Sequence, residues 1–230
     1  MAKVKVKKEQ NVEEFNKMEA FFLKYQKAII GAVVALIVII GIVALAKNLY
    51  FVPRENKAST ALAKCQELFG NEQYNDALNG NKQGCVGFLK VASDFGSTDA
   101  GNLANLYAGL CYANLDKWQE AVQYLEKFST ADDQLISPAA VAALGNAYAH
   151  LKQYDKAVDN LKKAASMADA KAADGLSRTL APTFLLQAGE ILESQDKKDE
   201  ALKLFQDIKK KYVNSQVSAD VDKYIERLQQ

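Results

Sequence analysis

The sequence predicts an all-α protein: one N-terminal transmembrane helix followed by an α-solenoid built from helical hairpin repeats. Two patterns indicate this class, namely nineteen consecutive uncharged residues at 28–46 and a set of residue types that recurs through the second half of the chain. The composition agrees, because only three of the 230 residues are Pro and twelve are Gly, the two residue types least compatible with helices.

The uncharged run 28–46 is long enough to cross a bilayer. As a helix rising about 1.5 Å per residue it spans about 28 Å, close to the ~30 Å hydrocarbon core. Tyr25 precedes the run, and Tyr50 and Phe51 follow it, where interfacial aromatic residues are expected. We therefore predict a transmembrane anchor and juxtamembrane segment over residues 28–52, with these three aromatic residues at the membrane interface.

A cleavable signal peptide is the alternative for this run, because Ala44, Leu45 and Ala46 have the small-x-small form of a cleavage site. A signal peptide, however, has a short leader and an apolar core of roughly 7–15 residues. Here the leader is residues 1–27 and the core has nineteen residues. The lengths favour a retained anchor, and cleavage after Ala46 stays open.

The lysines predict the orientation of the anchor. Residues 1–27 hold seven Lys and four Glu, whereas only Lys47, Arg54 and Lys57 follow the run closely. The positive-inside rule then places the N-terminus in the cytoplasm and the C-terminal domain in the periplasm, at a bacterial inner membrane. The leader 1–27 is predicted to be a cytoplasmic amphipathic helix, with apolar residues at steps of three and four: Val12, Phe15, Met18, Phe22 and Tyr25.

A repeat follows the anchor. The segment AGLCYANLDKWQEAVQYLEKF (108–128) aligns with LGNAYAHLKQYDKAVDNLKKA (144–164), a period of 36 residues from Gly109 to Gly145. A third copy, AGEILESQDKKDEALKLFQDI (188–208), keeps Gly189, Ala201 and Phe205. A small residue in the first helix of each hairpin allows close approach of the second helix, and stacked hairpins bury the faces that one hairpin exposes.

This is the tetratricopeptide pattern, in which L-G-x-x-Y is followed by A-x-x-x-F. We predict three such repeats over 98–212 and a capping helix over 213–230. A degenerate first repeat covers 56–97, with Cys65 at the small-residue position and a loop containing Gly80, Gly84 and Gly87 that divides its second helix. A phosphate-binding loop is disfavoured there, since no strand precedes it and no GK[ST] follows.

The first helices of such repeats line a concave surface, which predicts a peptide-binding groove. Offsets within the repeat identify the candidates: Leu103, Leu106, Leu110, Asn114, Asn146, His150, Leu186 and Glu190. The groove begins apolar and becomes polar and acidic, and it lacks the basic residues that would clamp a terminal carboxylate. The alternative is that the leucines are core residues or that the protein's own chain fills the groove.

No residue constellation for chemistry is found, so no catalytic residue, metal site or cofactor is predicted and the chain is not expected to be an enzyme. The formal charge of +1 offers no electrostatic case for nucleic acid. Cys65, Cys85 and Cys111 have no metal-ligand spacing and are interpreted as buried thiols at helix contacts. A disulfide between Cys65 and Cys85 is the alternative in an oxidising compartment.

With its leader, single span and repeats, the chain resembles membrane-anchored periplasmic tetratricopeptide proteins of the YfgM type. Residues 79–112 also look like a segment of tetratricopeptide proteins from Bacteroidota. The YfgM resemblance implies an ancillary subunit of the Sec translocon, with a periplasmic chaperone of the PpiD type and unfolded secretory clients as partners, in a holdase or chaperone-scaffold role. A periplasmic scaffold for an envelope assembly complex unrelated to Sec is the second hypothesis. An organelle import receptor with cytosolic repeats would need the opposite orientation.

Overall fold

The computed structural model describes the backbone of residues 2–229 and the side chains of residues 19, 21 and 23–229. Its described residues form helices and connecting loops, with no strand among them. The chain divides into two compact units, Met1–Pro53 and Arg54–Gln230.

The first unit is helical. Helix α1 covers Ala2–Ala46 and a π-helical segment covers Lys47–Phe51. Helix α2, Val52–Gly70, belongs almost entirely to the second unit. The part of the chain that the structure describes contains one helical stretch, within Leu23–Gly70, that is long and apolar enough to cross a membrane. Of the apolar residues predicted to form one face of the leader, only the side chain of Tyr25 belongs to the described residues, and those of Val12, Phe15, Met18 and Phe22 lie outside them.

The second unit is a row of helical hairpins. Helix α2 is followed by two short helices, and three longer hairpins and a C-terminal pair of short helices come after them. The bounds are α3 Tyr74–Asn79, α4 Phe88–Asp94, α5 Asp99–Asn114, α6 Trp118–Leu125, α7 Ile136–His150, α8 Tyr154–Lys171, α9 Leu180–Ser194, α10 Lys198–Lys211, α11 Gln216–Asp220 and α12 Asp222–Gln229.

The same turn closes four hairpins. One residue in each turn has a left-handed backbone, with φ between 56° and 60°, and lies two positions before the second helix: Glu72, Asp116, Lys152 and Asp196. The next residue donates its backbone N–H to a carbonyl five positions earlier, as Lys117 does to Tyr112 at 2.9 Å. The degenerate first repeat therefore has the same turn geometry as the three clear repeats.

The close approach predicted at the equivalent glycines is confirmed in all three clear repeats. A Cβ added to Gly109 would lie 2.6 Å from Leu125 Cγ, and one added to Gly189 would lie 2.3 Å from Phe205 Cε1. Gly145 is similar, with Leu161 Cγ at 3.1 Å. The small residue of the first helix thus faces the large apolar residue that the repeat pattern places in the second helix.

The glycine-rich loop divides the second helix of the first hairpin, as predicted. Helix α3 ends at Asn79 and α4 begins at Phe88. Gly80 and Gly87 have φ values of +94° and +93°, and a Cβ on either one would lie within 3 Å of backbone atoms of the loop. The loop residues are therefore held against the end of α3.

The third clear repeat follows the second by 44 residues, from Gly145 to Gly189, and the extra length lies in α8 and its following loop. Asp169 lies in this extension and is nearly buried. Its carboxylate accepts hydrogen bonds from the Ser177 backbone N–H (2.8 Å) and the Tyr212 hydroxyl (2.7 Å), and it pairs with Lys211 at 2.5 Å. Burial, together with the bond to Asp169, raises the pKa of Tyr212 to about 12. The inserted segment is thus fastened to the end of α10.

The C-terminal residues cap the last hairpin, in two short helices instead of one. Val221, between α11 and α12, is fully buried. The other residues of the predicted stripe pack partly buried against the same cluster: Val217, Tyr224, Ile225 and Leu228.

We predict that Gly109→Ala destabilises the repeat domain by about 1–3 kcal/mol, because the new methyl group would overlap Leu125 and force the hairpin apart. Gly70→Ala is the matched control, since nothing lies within 4 Å of its Cβ position. Urea unfolding of the intact protein, followed through the single tryptophan, Trp118, measures both effects. Equal midpoints for the two variants would contradict the close-packing explanation.

Candidate protein-binding site

An apolar trough of about 480 Å3 lies between helices α2, α5 and α7. Its lining contains no charged residue: Gln66, Phe69, Leu103, Leu106, Tyr107, Leu110, Leu135, Ile136, Ala139 and Ala140. Three of the eight predicted groove residues, Leu103, Leu106 and Leu110, come together here. Of these, Leu106 is buried at 7% exposure, whereas the other two are half-buried and form the accessible floor.

Helix α2 forms one wall of the trough through Phe69. The Phe69 ring contacts the edge of Tyr107 at a centroid distance of 5.2 Å, and Tyr107 in turn stacks on Phe88 at 5.1 Å. Phe88 is fully buried. The wall is therefore continuous with the core of the first hairpin.

Two polar contacts at the start of α2 orient this wall. The Glu55 carboxylate accepts hydrogen bonds from the backbone N–H groups of Asp99 (2.8 Å) and Ala100 (3.0 Å), at the N-terminus of α5. A carboxylate is favourable there because the first N–H groups of a helix are unpaired and its dipole is positive at that end. Arg54 donates to the Asp94 carbonyl at the end of α4.

A disulfide joins Cys65 of α2 to Cys85 of the glycine-rich loop, with the two Cα atoms 4.9 Å apart. The interpretation of these two cysteines as free thiols was wrong. The loop turns back on α2 through Gly84 and Gly87, and sequence spacing alone does not reveal that return. Cys111 is free and buried, as expected, and burial raises the pKa of its thiol to about 12.

The opposite rim of the trough is the start of α7, where Leu135 and Ile136 are 65% and 47% exposed. Asp133 caps this helix by accepting from the backbone N–H groups of Leu135 (2.9 Å), Ile136 (2.6 Å) and Ser137 (3.1 Å). Ser137 lies inside α7 and donates its hydroxyl to Asp133. Burial alone would raise the pKa of Asp133, but the bonds from Ser137, Leu135 and Ile136 outweigh it and lower the pKa.

The polar groove candidates of the first two clear repeats lie outside the trough lining. Asn114 donates to the Leu110 carbonyl of its own helix at 2.9 Å. Asn146 is half-buried on α7. His150 stacks in parallel on Trp118, with centroids 3.6 Å apart.

The candidates of the third clear repeat, Leu186 and Glu190, face the C-terminal helices. Leu186 lines a separate, smaller pocket of about 270 Å3 together with Tyr224 of α12. Glu190 accepts a hydrogen bond from the Tyr224 hydroxyl at 3.0 Å, which raises the pKa of Tyr224, and burial adds to that rise. The eight candidates therefore divide into the trough, an intermediate polar stretch and a capped end.

Sequence reasoning missed the residues of the trough that lie outside the three aligned repeats. Gln66 and Phe69 belong to the degenerate repeat, for which no groove positions were assigned. Leu135 and Ile136 lie at the start of α7, before the aligned segment. The sequence signal for them was an apolar pair directly before Ser137 and Pro138. Large apolar residues at an exposed helix start often belong to an interaction surface.

The predicted interfacial residues of the first unit flank the uncharged run. Tyr25, Tyr50 and Phe51 are 42%, 58% and 52% exposed. The rings of Tyr50 and Phe51 meet edge to face at 5.3 Å. Their contact with a membrane stays a prediction. As for metals, no group of three or more His, Cys, Asp or Glu among the described residues is placed to hold an ion.

The fold is a helical-repeat domain with an apolar trough, and the described part of the chain contains one apolar helix long enough to cross a membrane. Residues 42–222 match the family model described as "T7SS, ESX-1 secretion system protein EccA1, N-terminal domain", so the chain belongs to this family of tetratricopeptide-like domains. A search of curated proteins gives no match.

Two solved structures have a similar fold. Both are described as Podosopora anserina putative kinesin light chain nearly identical TPR-like repeats, and one carries a point substitution. Each is 14% identical to this chain with a TM-score of 0.57, and the alignment covers 76% of this chain and 86% or 85% of the other. At this identity the similarity shows the fold alone, a TPR-like α-solenoid, as the sequence predicted.

We predict that Asp133→Ala destabilises the domain by about 1 kcal/mol at neutral pH, because three backbone N–H groups lose their acceptor. The folded pKa of Asp133 is lowered, so its stabilisation is present above the unfolded pKa of about 3.9 and is lost as the pH falls through the folded pKa. The difference between variant and wild type in urea should therefore shrink in acid.

The matched control for this cap is Asp132→Ala. Asp132 is adjacent, and its side chain is 82% exposed in a surface pair with Lys171, an interaction worth little. A pH-independent effect of Asp133→Ala, or an equal effect of Asp132→Ala, would contradict the capping role.

Proposed function

We propose that this chain is an inner-membrane-anchored protein-interaction module whose repeat domain lies in the periplasm and holds apolar segments of other proteins in the trough. The observation that carries the proposal is the open, uncharged trough between α2, α5 and α7. Its volume of about 480 Å3 falls within the roughly 300–1,000 Å3 of ordinary ligand sites.

The exposed rim of the trough supports binding of another protein. Outside the apolar helix of the first unit, few large apolar side chains in the described part of the chain are well exposed, and Leu135 and Ile136 are two of them. Contiguous exposed apolar surface is uncommon on soluble domains and usually marks an interaction site. Because the trough has no charge, its partner should present uncharged apolar side chains.

Two features support a periplasmic location. Seven lysines precede the apolar run and few basic residues follow it, which favours export of the C-terminal side. The Cys65 to Cys85 disulfide is of a kind that persists in oxidising compartments and is rare in the cytosol.

We further propose that the clients are unfolded secretory chains and that the module works beside the Sec translocon with a periplasmic chaperone, as a holdase or chaperone scaffold. The architectural resemblance to YfgM-type proteins supports this partner set. The family description names a protein of a secretion system, which agrees with a role near secretion machinery. A periplasmic scaffold for an envelope assembly complex is the second candidate, and it would use the same trough for one fixed partner.

We predict that the double variant Leu135→Gln, Ile136→Gln lowers recovery of crosslinked secretory chains at least tenfold, because burial of each apolar side chain contributes roughly 1.5–3 kcal/mol to binding. Both residues are exposed, so domain stability should change by less than about 0.5 kcal/mol. Val213→Gln is the matched control, since Val213 is 69% exposed and is not a trough residue.

The measurement is affinity purification of the full chain in mild detergent after crosslinking in cells. SecY, a peptidyl-prolyl isomerase-like chaperone and secretory chains are expected with wild type and with Val213→Gln. Recovery of envelope assembly factors alone would favour the scaffold. Equal recovery by the trough variant and wild type would refute the role of the trough.

We predict that the protein from acid-quenched cells, denatured without reductant, takes up one maleimide at Cys111, and three after reduction. In the Cys85→Ser control, Cys65 becomes free and two adducts form without reductant. Intact mass counts the adducts. Three adducts on unreduced wild type would indicate a reducing compartment and overturn the periplasmic location.

A further inference from the structure

We infer that the trough accepts an uncharged helix and rejects an extended segment, an inference that rests on the proposed function of the trough. The argument concerns the backbone of the bound segment. Each residue of an extended peptide brings one N–H and one C=O, and a buried group of this kind needs a hydrogen-bond partner. A helix satisfies these groups within itself.

The lining supplies very few partners for an extended backbone. Of its ten residues, all of them described by the structure, only Gln66 and Tyr107 have polar side chains. The remaining eight are Phe, Leu, Ile and Ala. A five-residue extended segment presents about ten backbone groups, and those that face the lining would be buried without a partner.

The walls of the trough add no backbone donors. They are helices, whose interior N–H and C=O groups are paired along the helix. The exception would be the first turn of α7, where N–H groups are normally unpaired. Here Asp133 accepts from Leu135, Ile136 and Ser137, and Pro138 has no N–H. Ala139 donates to the Leu135 carbonyl at 3.1 Å.

Size and charge define the face of the helix that fits. A cavity of about 150 Å3 holds one benzene-sized group, so about 480 Å3 holds roughly three such groups. Three large side chains in one row correspond to positions i, i+4 and i+7 of a helix. An uncharged lining is complementary to an uncharged face, because a buried unpaired charge is strongly unfavourable. The occupant is therefore an uncharged helix with an apolar row of Leu, Ile, Val or Phe.

The test uses the full chain in zwitterionic nanodiscs and three fluorescein-labelled peptides, with binding read from anisotropy. The first peptide is a capped 14-residue helix of Ala and Gln with Leu at i, i+4 and i+7. The second has the same composition with two central residues as D-enantiomers, which break the helix without changing hydrophobicity. The third is an extended peptide of alternating Val and Thr.

We expect the helical peptide to bind at least tenfold more tightly than either of the other two. The Leu135→Gln, Ile136→Gln variant should lose that binding, and Val213→Gln should retain it. Equal affinity of the helical peptide and its diastereomer, or tighter binding of the extended peptide, would overturn this inference and leave the proposed function intact.

Two further outcomes would overturn the inference and the proposed function together. If no peptide binds, the proposed function of the trough fails together with the inference. If sedimentation shows a dimer that the Leu135→Gln, Ile136→Gln variant dissociates, the occupant is a second copy of this chain, and both proposals are overturned.

Discussion

Each clear repeat has a glycine in its first helix, and the lack of a side chain there sets the distance between the two helices of the hairpin. The rest of the domain depends on that distance. At Gly109 and Gly189 the facing Leu125 and Phe205 occupy the space that a Cβ would need. Two helices this close bury the apolar residues between them, but they leave apolar residues on their outer faces. Those faces can be buried only by the next hairpin, which is why the repeats stack.

The trough follows from an irregularity in this stacking. Its α2 wall belongs to the degenerate repeat, in which a glycine-rich loop divides the second helix. Three contacts hold α2 in place despite that interruption: the disulfide from Cys65, the Glu55 carboxylate at the start of α5, and the Phe69 ring against Tyr107. The result is a fixed wall that faces α7 without touching it closely enough to close the trough.

The parts of the fold that depend on local pattern could be predicted from the sequence, whereas those that depend on loop geometry could not. Gly109 and Gly145 identify the repeats because their spacing reflects one hairpin length. Leu103 and Leu110 could be assigned to a groove by offset from those glycines. The Cys65 to Cys85 disulfide was only the alternative to free thiols, because the sequence does not show the backbone angles that bring the loop back to α2.

The apolar surface is covered at the C-terminal end of the domain but exposed at the trough, and this difference supports a binding role for the trough. Beyond α10 the chain adds α11 and α12, buries Val221, and joins Arg227 to Glu193 through a bidentate pair at 2.7 and 2.5 Å. A terminal repeat needs such a cover because its outer face has no neighbour. The trough lies on the surface lined by the first helices of successive repeats, and Leu135 remains 65% exposed at its rim. Leu135 and Ile136 are therefore the exposed apolar side chains that, under the proposed function, a bound partner covers.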